Sequence, residues 1–346
     1  SPREAAFIAG DVGARFLCKA DDLAVEPVGA AILDEAAITA LKQAAPAELA
    51  DTGADDPAFV VYTSGSSGKP KGVVHAHRSA FARRMMWDGW YGLTEGDRML
   101  HAGAFNWTYT LGAGLLDPWA AGAATVIHAG PRDPGIWPRL AERHGCTLFA
   151  ATPGVYRQLL KYGARVGEGF ASLRHGLSAG EALPDALAAQ WTAETGKPIF
   201  EALGMSEIST YISSAPGSPR RPGWAGRPQR GRRVAVLKPG EAEPAPVGTV
   251  GDLAVSRRDP GLMLGYWNAP EETEAACRGE WFVTGDLAEM DAEGYLAHRG
   301  RADDVMNAGG FRVAPQEVEA ALTGFPGVLE AAAAAVDVRP GVSIIA

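Results

Sequence analysis

The run Tyr62-Thr63-Ser64-Gly65-Ser66-Ser67-Gly68-Lys69-Pro70-Lys71-Gly72 packs hydroxyls, glycines and two lysines into eleven positions. A bend of this kind can turn several backbone N–H groups toward one point while hydroxyls and ammonium groups converge on it, which suits a polyphosphate. It is not a Walker A loop, because that pattern closes on Gly-Lys-Ser/Thr and here Pro70 follows Lys69. The plain alternative is a flexible Gly/Ser linker. Against it stands the placement of the run, between the apolar segment Ala58-Phe59-Val60-Val61 and a helical one. Two carboxylates and two arginines could serve the same ligand. Glu207, in Gly204-Met205-Ser206-Glu207, follows a strand-like run, and strand ends are where open sheets bind ligands. Asp286, in Thr284-Gly285-Asp286, comes directly after the strand Trp281-Phe282-Val283, and Arg301 and Arg312 lie further on. Singly, each has a plainer reading: Glu207 as a solvated helix-start residue, Asp286 as a turn residue, Gly300 to Asp304 as a polar surface loop.

Sheet elements must carry these groups if they are to meet. Phe59 to Tyr62 predicts a strand before the loop, and Ser79 to Trp87 a helix after it. Ala36 to Ala44 predicts a helix. Thr147 to Ala151, Leu173 to Leu177 and Ile199 to Leu203 predict strands. Val155 to Lys161 and Leu183 to Thr195 predict helices, stopped by Gly163 and Gly196, with Pro184 near the start of the second. This alternation implies a largely parallel sheet covered by helices. After about residue 230 the pattern changes. Val234 to Leu237, Val250 to Val255, Trp281 to Val283 and Tyr295 to His298 predict short antiparallel strands, with Asp291-Ala292-Glu293-Gly294 as a hairpin turn. A helix is expected from Pro315 to Leu322. The expected fold is α/β: a large N-terminal domain (1–300) of helix-covered, mostly parallel sheet with a small antiparallel, barrel-like subdomain, then a small α+β domain (301–346), with the boundary at Arg301 to Asp303.

The net charge of −9 argues against a general nucleic-acid binder. One local exception is the Pro/Gly-rich stretch holding Arg220, Arg221, Arg227, Arg230, Arg232 and Arg233. It reads first as a solvated mobile loop and second as a contact for an anionic ligand. Cys18, Cys146 and Cys277 form no metal-ligand spacing and read as buried structural thiols in a reducing compartment. Ala331 to Ala335 reads as a buried strand or helix. No charged-then-apolar leader opens the sequence and no apolar run reaches membrane-spanning length, so a cytoplasmic protein is expected.

Taken together, the order and spacing of Tyr62 to Gly72, Ser178-Ala179-Gly180-Glu181, Leu203 to Glu207, Trp281 to Asp286 and Gly300 to Glu319 resemble the adenylate-forming superfamily, which includes acyl- and aryl-CoA ligases, luciferases and peptide-synthetase adenylation domains. The resemblance runs from about residue 58 to 325. It implies an AMP-forming carboxylate–CoA ligase using ATP, Mg²⁺ and coenzyme A. A carboxylate attacks the α-phosphate to give an acyl-adenylate and pyrophosphate, and a thiol then displaces AMP. It further implies that Thr63, Ser64, Gly65, Ser66, Ser67, Gly68 and Lys69 hold the β- and γ-phosphates. Ser206 would contact the α-phosphate, Glu207 the Mg²⁺, Asp286 both ribose hydroxyls and Arg301 the ribose-phosphate side. Gly180 and Glu181 would line the adenine, with Ala202, Leu203, Gly204 and Met205 completing the nucleotide site. Thr63, Glu207 and Arg301 are the implied catalytic residues, Asp303 the hinge of a mobile small domain, and Gly309, Gly310 and Arg312 the coenzyme A side.

This sequence departs from the family pattern in places. Leu203 stands where many members carry an adenine-stacking aromatic, although some aryl-CoA ligases of the benzoate type also carry an aliphatic there. Gly204 stands where acetyl-CoA synthetases carry a tryptophan that walls off the acyl pocket, so a substrate larger than acetate is expected. Phe105, Asn106, Trp107 and Tyr109, within His101 to Gly112, are expected to line that pocket with Gly204, their plainer reading being core aromatics. Complete members extend beyond both ends, and no lysine here matches their late catalytic lysine. The expectation is therefore part of a longer protein, its large domain lacking its first part and its C-terminal domain truncated. Two rivals remain: a module that loads a carrier-protein thiol, and a nucleotide-binding relative without catalysis. The expected partners are a small carboxylate, ATP and coenzyme A, with no nucleic acid and no membrane span; a homodimer is left open.

Overall fold

A computed structural model describes residues 2–345 except 22, 26–28, 65–69, 106, 132, 305, 309–310, 314, 324, 326–327, 329–330 and 340–341. Strands β1 (Pro57–Ser64) and β2 (Pro70–Ala76) pair antiparallel, Tyr62 facing Gly72 and Ser64 facing Pro70. The glycine-rich run therefore bridges two strands of a hairpin, not a strand and a helix. The reason lies in Val73 and Val74: β-branched side chains favour a pleated, half-buried surface, and both are buried. The helix expected over Ser79 to Trp87 is shorter, Arg78–Ala82, and a π-helical turn, Trp87–Tyr91, follows it and closes on Gly92 in the left-handed region (φ 56°).

The main sheet has seven strands. In chain order they are β3 (Arg98–His101), β4 (Ala124–Val126), β5 (Leu148–Ala151), β6 (His175–Ala179), β7 (Ile199–Met205), β8 (Ser209–Ser213) and β9 (Arg227–Pro228). In space they run β9-β8-β7-β6-β5-β3-β4, with β7 through β4 parallel and β8 and β9 antiparallel. The strand expected at Leu173 to Leu177 lies two residues later. Helices α1 (Ile136–His144), α2 (Pro153–Tyr162) and α3 (Asp185–Thr195) pack on this sheet through one contiguous aromatic core. There Phe149, Phe170, Tyr156 and Trp191 meet, with Tyr156 edge-on to Trp191 at 4.8 Å. Alternation along the strands sends Leu100, Phe149 and Ile199 into that core. It sends Met99, Leu148, Leu177 and Phe200 to the opposite face, against Trp90, Tyr91 and Tyr109. Pro184 precedes α3 and Gly196, at φ 69°, ends it.

The antiparallel subdomain is a curled five-stranded sheet of β10 (Val234–Leu237), β11 (Gly251–Ser256), β12 (Cys277–Arg278), β13 (Trp281–Met290) and β14 (Leu296–Arg301). Strand β13 does not stop at Val283. It continues for ten residues, with Gly285 at φ 80° and a register shift between Asp286 and Ala288. Asp286 therefore sits within a bulged strand and not after one, the place where bulges re-aim side chains. The turn at Asp291 forms as expected: its Oδ1 accepts from the N–H groups of Glu293 and Tyr295.

Three other expectations are corrected. The arginine-rich stretch is not a solvated loop. Arg220 reaches Asp185 (2.5 Å) and Glu201, Arg232 is buried against Asp259 (2.5 Å), Arg233 pairs with Glu280 and Arg227 lies over the Tyr295 ring. Partners distant in sequence neutralise charges that read as free. Ala331 to Ala335 is largely exposed, with a strand starting only at Ala335, and Cys18 is exposed, whereas Cys146 is buried. A helix over Pro315–Thr323 follows the two short strands Met306–Ala308 and Phe311–Val313.

Candidate functional site

The hairpin is drawn to the end of β7 by two links. The His75 ring nitrogen Nε2 lies 2.8 Å from the Ser206 carbonyl oxygen, and a short strand, Gly265–Tyr266, pairs along β2. That strand places the Tyr266 hydroxyl 2.8 Å from Glu207 Oε1, to which it donates, while the Met263 N–H donates to the Glu207 carbonyl. Burial, reinforced by the Glu207 carboxylate, pushes the Tyr266 hydroxyl well above its ordinary pKa, so it stays a donor. On the same ring, Lys71 Nζ stands 5.3 Å from the centroid and also pairs with Glu272 at 2.5 Å.

Asp286 faces Arg301 across β13 and β14. Its Oδ1 lies 3.3 Å from His298 Nε2 and 3.6 Å from Arg301 Nη1. Arg301 also donates to the Thr284 carbonyl and, through Nε, to Asp303 (3.1 Å), whose pKa it holds below the usual carboxylate range. Gly285 is the residue that admits this arrangement, since a Cβ there would stand 2.9 Å from the guanidinium. Tyr211, fully buried, packs in one core cluster with Val73 of the hairpin, Met205 of β7, Tyr266, Ala288 of β13 and Leu296 of β14. Burial first, then the charges of Asp286 and Glu207, push the Tyr211 hydroxyl well above the ordinary value. One tyrosine thus feels both acids, and the hairpin, the β7 end and the β13–β14 pair converge on one flank of the molecule.

Two clefts open there. One is lined by Trp107, Tyr109, Gly180, Gly204, Met205 and Ser206, among others, and the second lies beyond Thr108 and Ser209. Both glycines are required by close approach: a Cβ at Gly180 would stand 2.6 Å from the Trp107 ring, and at Gly204 2.6 Å from the Ser209 carbonyl oxygen. Trp107 and Tyr109 meet edge to face at 5.3 Å. Of the other sequence-derived residues, Thr63 is half-buried opposite Lys71, Glu181 is exposed, Ala202 lies in the sheet core, and Leu203 packs toward the core of the antiparallel sheet. Phe105 is half-buried and lines neither cleft. Gly65 to Lys69, Asn106, Gly309 and Gly310 lie outside the described residues, as do the side chains of Ser64 and Arg312.

Several groups at the site left no signal in the sequence. Arg83 forks onto Asp117 with two 2.7 Å bonds, and Tyr91 donates to the same carboxylate at 2.8 Å. His75, Tyr211, Tyr266 and His298 enter through strand register alone. An aromatic or histidine inside an apolar run carries no spacing that distinguishes it from core.

A hairpin over the end of a mixed sheet, followed by a curled antiparallel sheet bearing Asp286 and Arg301, is the architecture of adenylate-forming enzymes. The family model described as AMP-binding enzyme matches residues 1–267, and the chain belongs to that family. It is 35% identical over 290 residues to a 3-hydroxybenzoate–CoA ligase of Aromatoleum sp. (strain CIB), covering 84% of this chain and 55% of that protein. It is 36% identical over 293 residues to a benzoate–CoA ligase of Thauera aromatica, covering 82% and 54%. The chain thus spans about half the length of the curated relatives it matches. Among solved structures, an anthranilate CoA ligase in complex with anthranoyl-AMP superposes with a TM-score of 0.88 at 29% identity, covering 100% of this chain and 69% of that one. A benzoate CoA ligase from Burkholderia xenovorans LB400 superposes with a TM-score of 0.83 at 29% identity, covering 100% and 71%. Among the described residues, no helix is long and apolar enough to cross a membrane.

Proposed function

We propose that the protein activates a carboxylic acid, an aryl or medium-size acyl acid larger than acetate, and transfers it to coenzyme A. In the first step a carboxylate oxygen of the acid bonds to the α-phosphorus of ATP and pyrophosphate leaves. In the second a thiol sulfur bonds to the acyl carbon and AMP leaves. Four negatively charged groups must be brought together for the first step, so fixed donors and cations carry the catalysis. Thr63 to Lys69 would hold the terminal phosphates, Ser206 the α-phosphate, Asp286 the ribose hydroxyls and Arg301 the ribose-phosphate side. Gly180, Glu181 and Ala202 to Met205 would border the nucleotide, and Trp107, Tyr109 and Gly204 the acid.

Among the described residues no three His, Cys, Asp or Glu side chains cluster so as to hold a metal by themselves. A single carboxylate completed by phosphate oxygens and water is a common setting for Mg²⁺. Glu207 fits that role, and the ion would neutralise phosphate charge there. Residues 1–300 would form the nucleotide domain and residues 301–346 the start of a mobile domain turning at Asp303, with Gly309, Gly310 and Arg312 toward coenzyme A. A cytosolic location belongs to the same proposal, testable by fractionation, and sedimentation decides the homodimer left open by the sequence.

What supports this reading most is the convergence of the hairpin, the β7 end that carries Glu207 and the β13–β14 pair that carries Asp286 on one core cluster holding Tyr211 and Tyr266. The test is exchange of labelled pyrophosphate into ATP by the full-length protein over a panel of benzoates and C4–C10 acids. Exchange with at least one acid is expected, and none with any acid would refute the ligase. AMP release that needs a phosphopantetheinyl carrier and ignores free coenzyme A would favour the carrier-loading module instead.

A further inference from the structure

The second cleft encloses about 490 Å³ of open space, mouth included, between the Phe59–His75 pair and the segment Leu111–Leu116. It shares Thr108, Ser206 and Ser209 with the cleft at Gly180 and Gly204, so the two adjoin at those residues. Most of its surface is apolar. Two polar side chains in it are each left with an unpaired buried nitrogen among the described residues, His75 Nδ1 and Arg232 Nε. Buried polar atoms without partners are rare and ask for an explanation.

The identity of the His75 atom is fixed by its neighbours. The Ser206 carbonyl can only accept, so the Nε2 that lies 2.8 Å from it carries the proton. Burial lowers the His75 pKa to about 4, against the pull of the Ser206 carbonyl and with Arg83 and Arg78 adding to the effect. The ring is therefore neutral at neutral pH, and Nδ1 presents a lone pair. Phe59 stacks on the imidazole at 4.8 Å and fixes its plane. The nearby Ser79 hydroxyl has committed its proton to the Ala76 carbonyl at 2.7 Å. Arg83, also in this wall, is neutralised by Asp117 and gives Nη1 to Ser209, and Arg232 is neutralised by Asp259, so neither offers net positive charge to a second carboxylate.

We propose that this cleft receives the distal end of the acid, and that His75 Nδ1 selects acids whose far end is an apolar ring carrying a hydrogen-bond donor, a hydroxyl or amino group. The inference rests on the ligase reading above and names its substrate class. A methoxy, fluoro or second carboxylate group can accept from the unpaired Arg232 Nε–H but cannot donate to the Nδ1 lone pair, whereas a hydroxyl can do both. Each of the three would leave Nδ1 buried and unpaired, a loss larger than the gain of one ordinary hydrogen bond.

The test is calorimetric titration of the chain, in the presence of AMP, with benzoate and its 3- and 4-hydroxy, 3- and 4-amino, 3- and 4-methoxy, 3- and 4-fluoro and 3- and 4-carboxy derivatives. At one ring position or the other, the hydroxy or amino acid should bind about tenfold tighter than the methoxy and fluoro acids, and the dicarboxylates weakest. His75→Gln, whose amide can still donate to the Ser206 carbonyl but has no acceptor where Nδ1 stood, should narrow that ratio to about threefold or less. Equal affinities of hydroxy and methoxy acids in the wild-type chain would overturn the proposal while leaving the ligase reading intact. The same holds if the ratio persists in folded His75→Gln. Binding of no aromatic acid at all, with AMP still bound, would overturn the proposal, and the pyrophosphate exchange above then decides the ligase reading separately.

Discussion

The parallel sheet and the antiparallel sheet hold the site in different ways. In the parallel region, shape does the holding: Phe149, Phe170, Tyr156 and Trp191 interlock, and Leu100 and Ile199 fill the remaining space. In the antiparallel region, directed polar contacts do it. Asp286 stands between His298 and Arg301, Arg301 ties back to Asp303, and Glu207 is held by one tyrosine hydroxyl. Packing of the first kind resists displacement in every direction, whereas a set of ion pairs can be exchanged for another when a charged ligand arrives. The contrast places the stable platform on one side of the clefts and the adjustable groups on the other. Loss of a packed residue should therefore lower stability, and loss of a charged one should lower ligand affinity.

Trp191→Ala tests the platform. It opens a cavity among Phe149, Tyr156 and Phe170 and should remove about 3–5 kcal/mol of unfolding free energy in urea. AMP affinity of the folded fraction should stay within about twofold; a large affinity loss would break the division between platform and adjustable side. Acid should attack the platform next. Burial holds His101 near pKa 3 and His175 near pKa 4, and His75 of the hairpin is also near 4. The unfolded chain takes up these protons near pH 6.5, whereas the folded chain does not until about 3–4. The unfolded state therefore binds more protons across that window, and stability falls as pH drops from 6.5 toward 4. The loss should reach about 2 kcal/mol per histidine by pH 5, read from denaturation midpoints. His101→Asn should flatten the slope measurably, and an unchanged slope would contradict its buried, neutral state. The smallest effect belongs to the adjustable side. Tyr266→Phe removes the hydroxyl from Glu207 and should weaken MgATP binding by about 1 kcal/mol with little change in melting temperature. A drop of several degrees with unaltered affinity would reverse the assignment.

The sequence carried the contrast only in part. Strands β5 and β7 were readable from short apolar runs bounded by Gly and Pro, and Glu207 from its place after one of them. The hairpin was hidden because Gly72 and Pro70 look like loop residues, and only pairing with Tyr62 and Ser64 makes a strand of them. The continuation of β13 through Asp286 was hidden for a related reason: Thr284-Gly285-Asp286 reads as the turn after a strand ending at Val283 but is a bulge within it. Arginines 220 to 233 misled most. Local composition shows their charge but not Asp185, Asp259 or Glu280, which neutralise Arg220, Arg232 and Arg233 from 27 to 47 positions away in sequence. Patterns that depend on neighbours in sequence were legible, and those that depend on neighbours in space were not.

The claim that matters most is that Asp286 and Glu207 face the same bound nucleotide. Titrating ATP with Mg²⁺ into the wild-type chain, Asp286→Ala, Glu207→Gln and the double variant measures it directly. The account predicts that Asp286→Ala weakens binding by about 1.5–3 kcal/mol for each hydrogen bond lost to the carboxylate, and that raising Mg²⁺ partly restores Glu207→Gln but not Asp286→Ala. Wild-type affinity in Asp286→Ala, with folding intact, would contradict it.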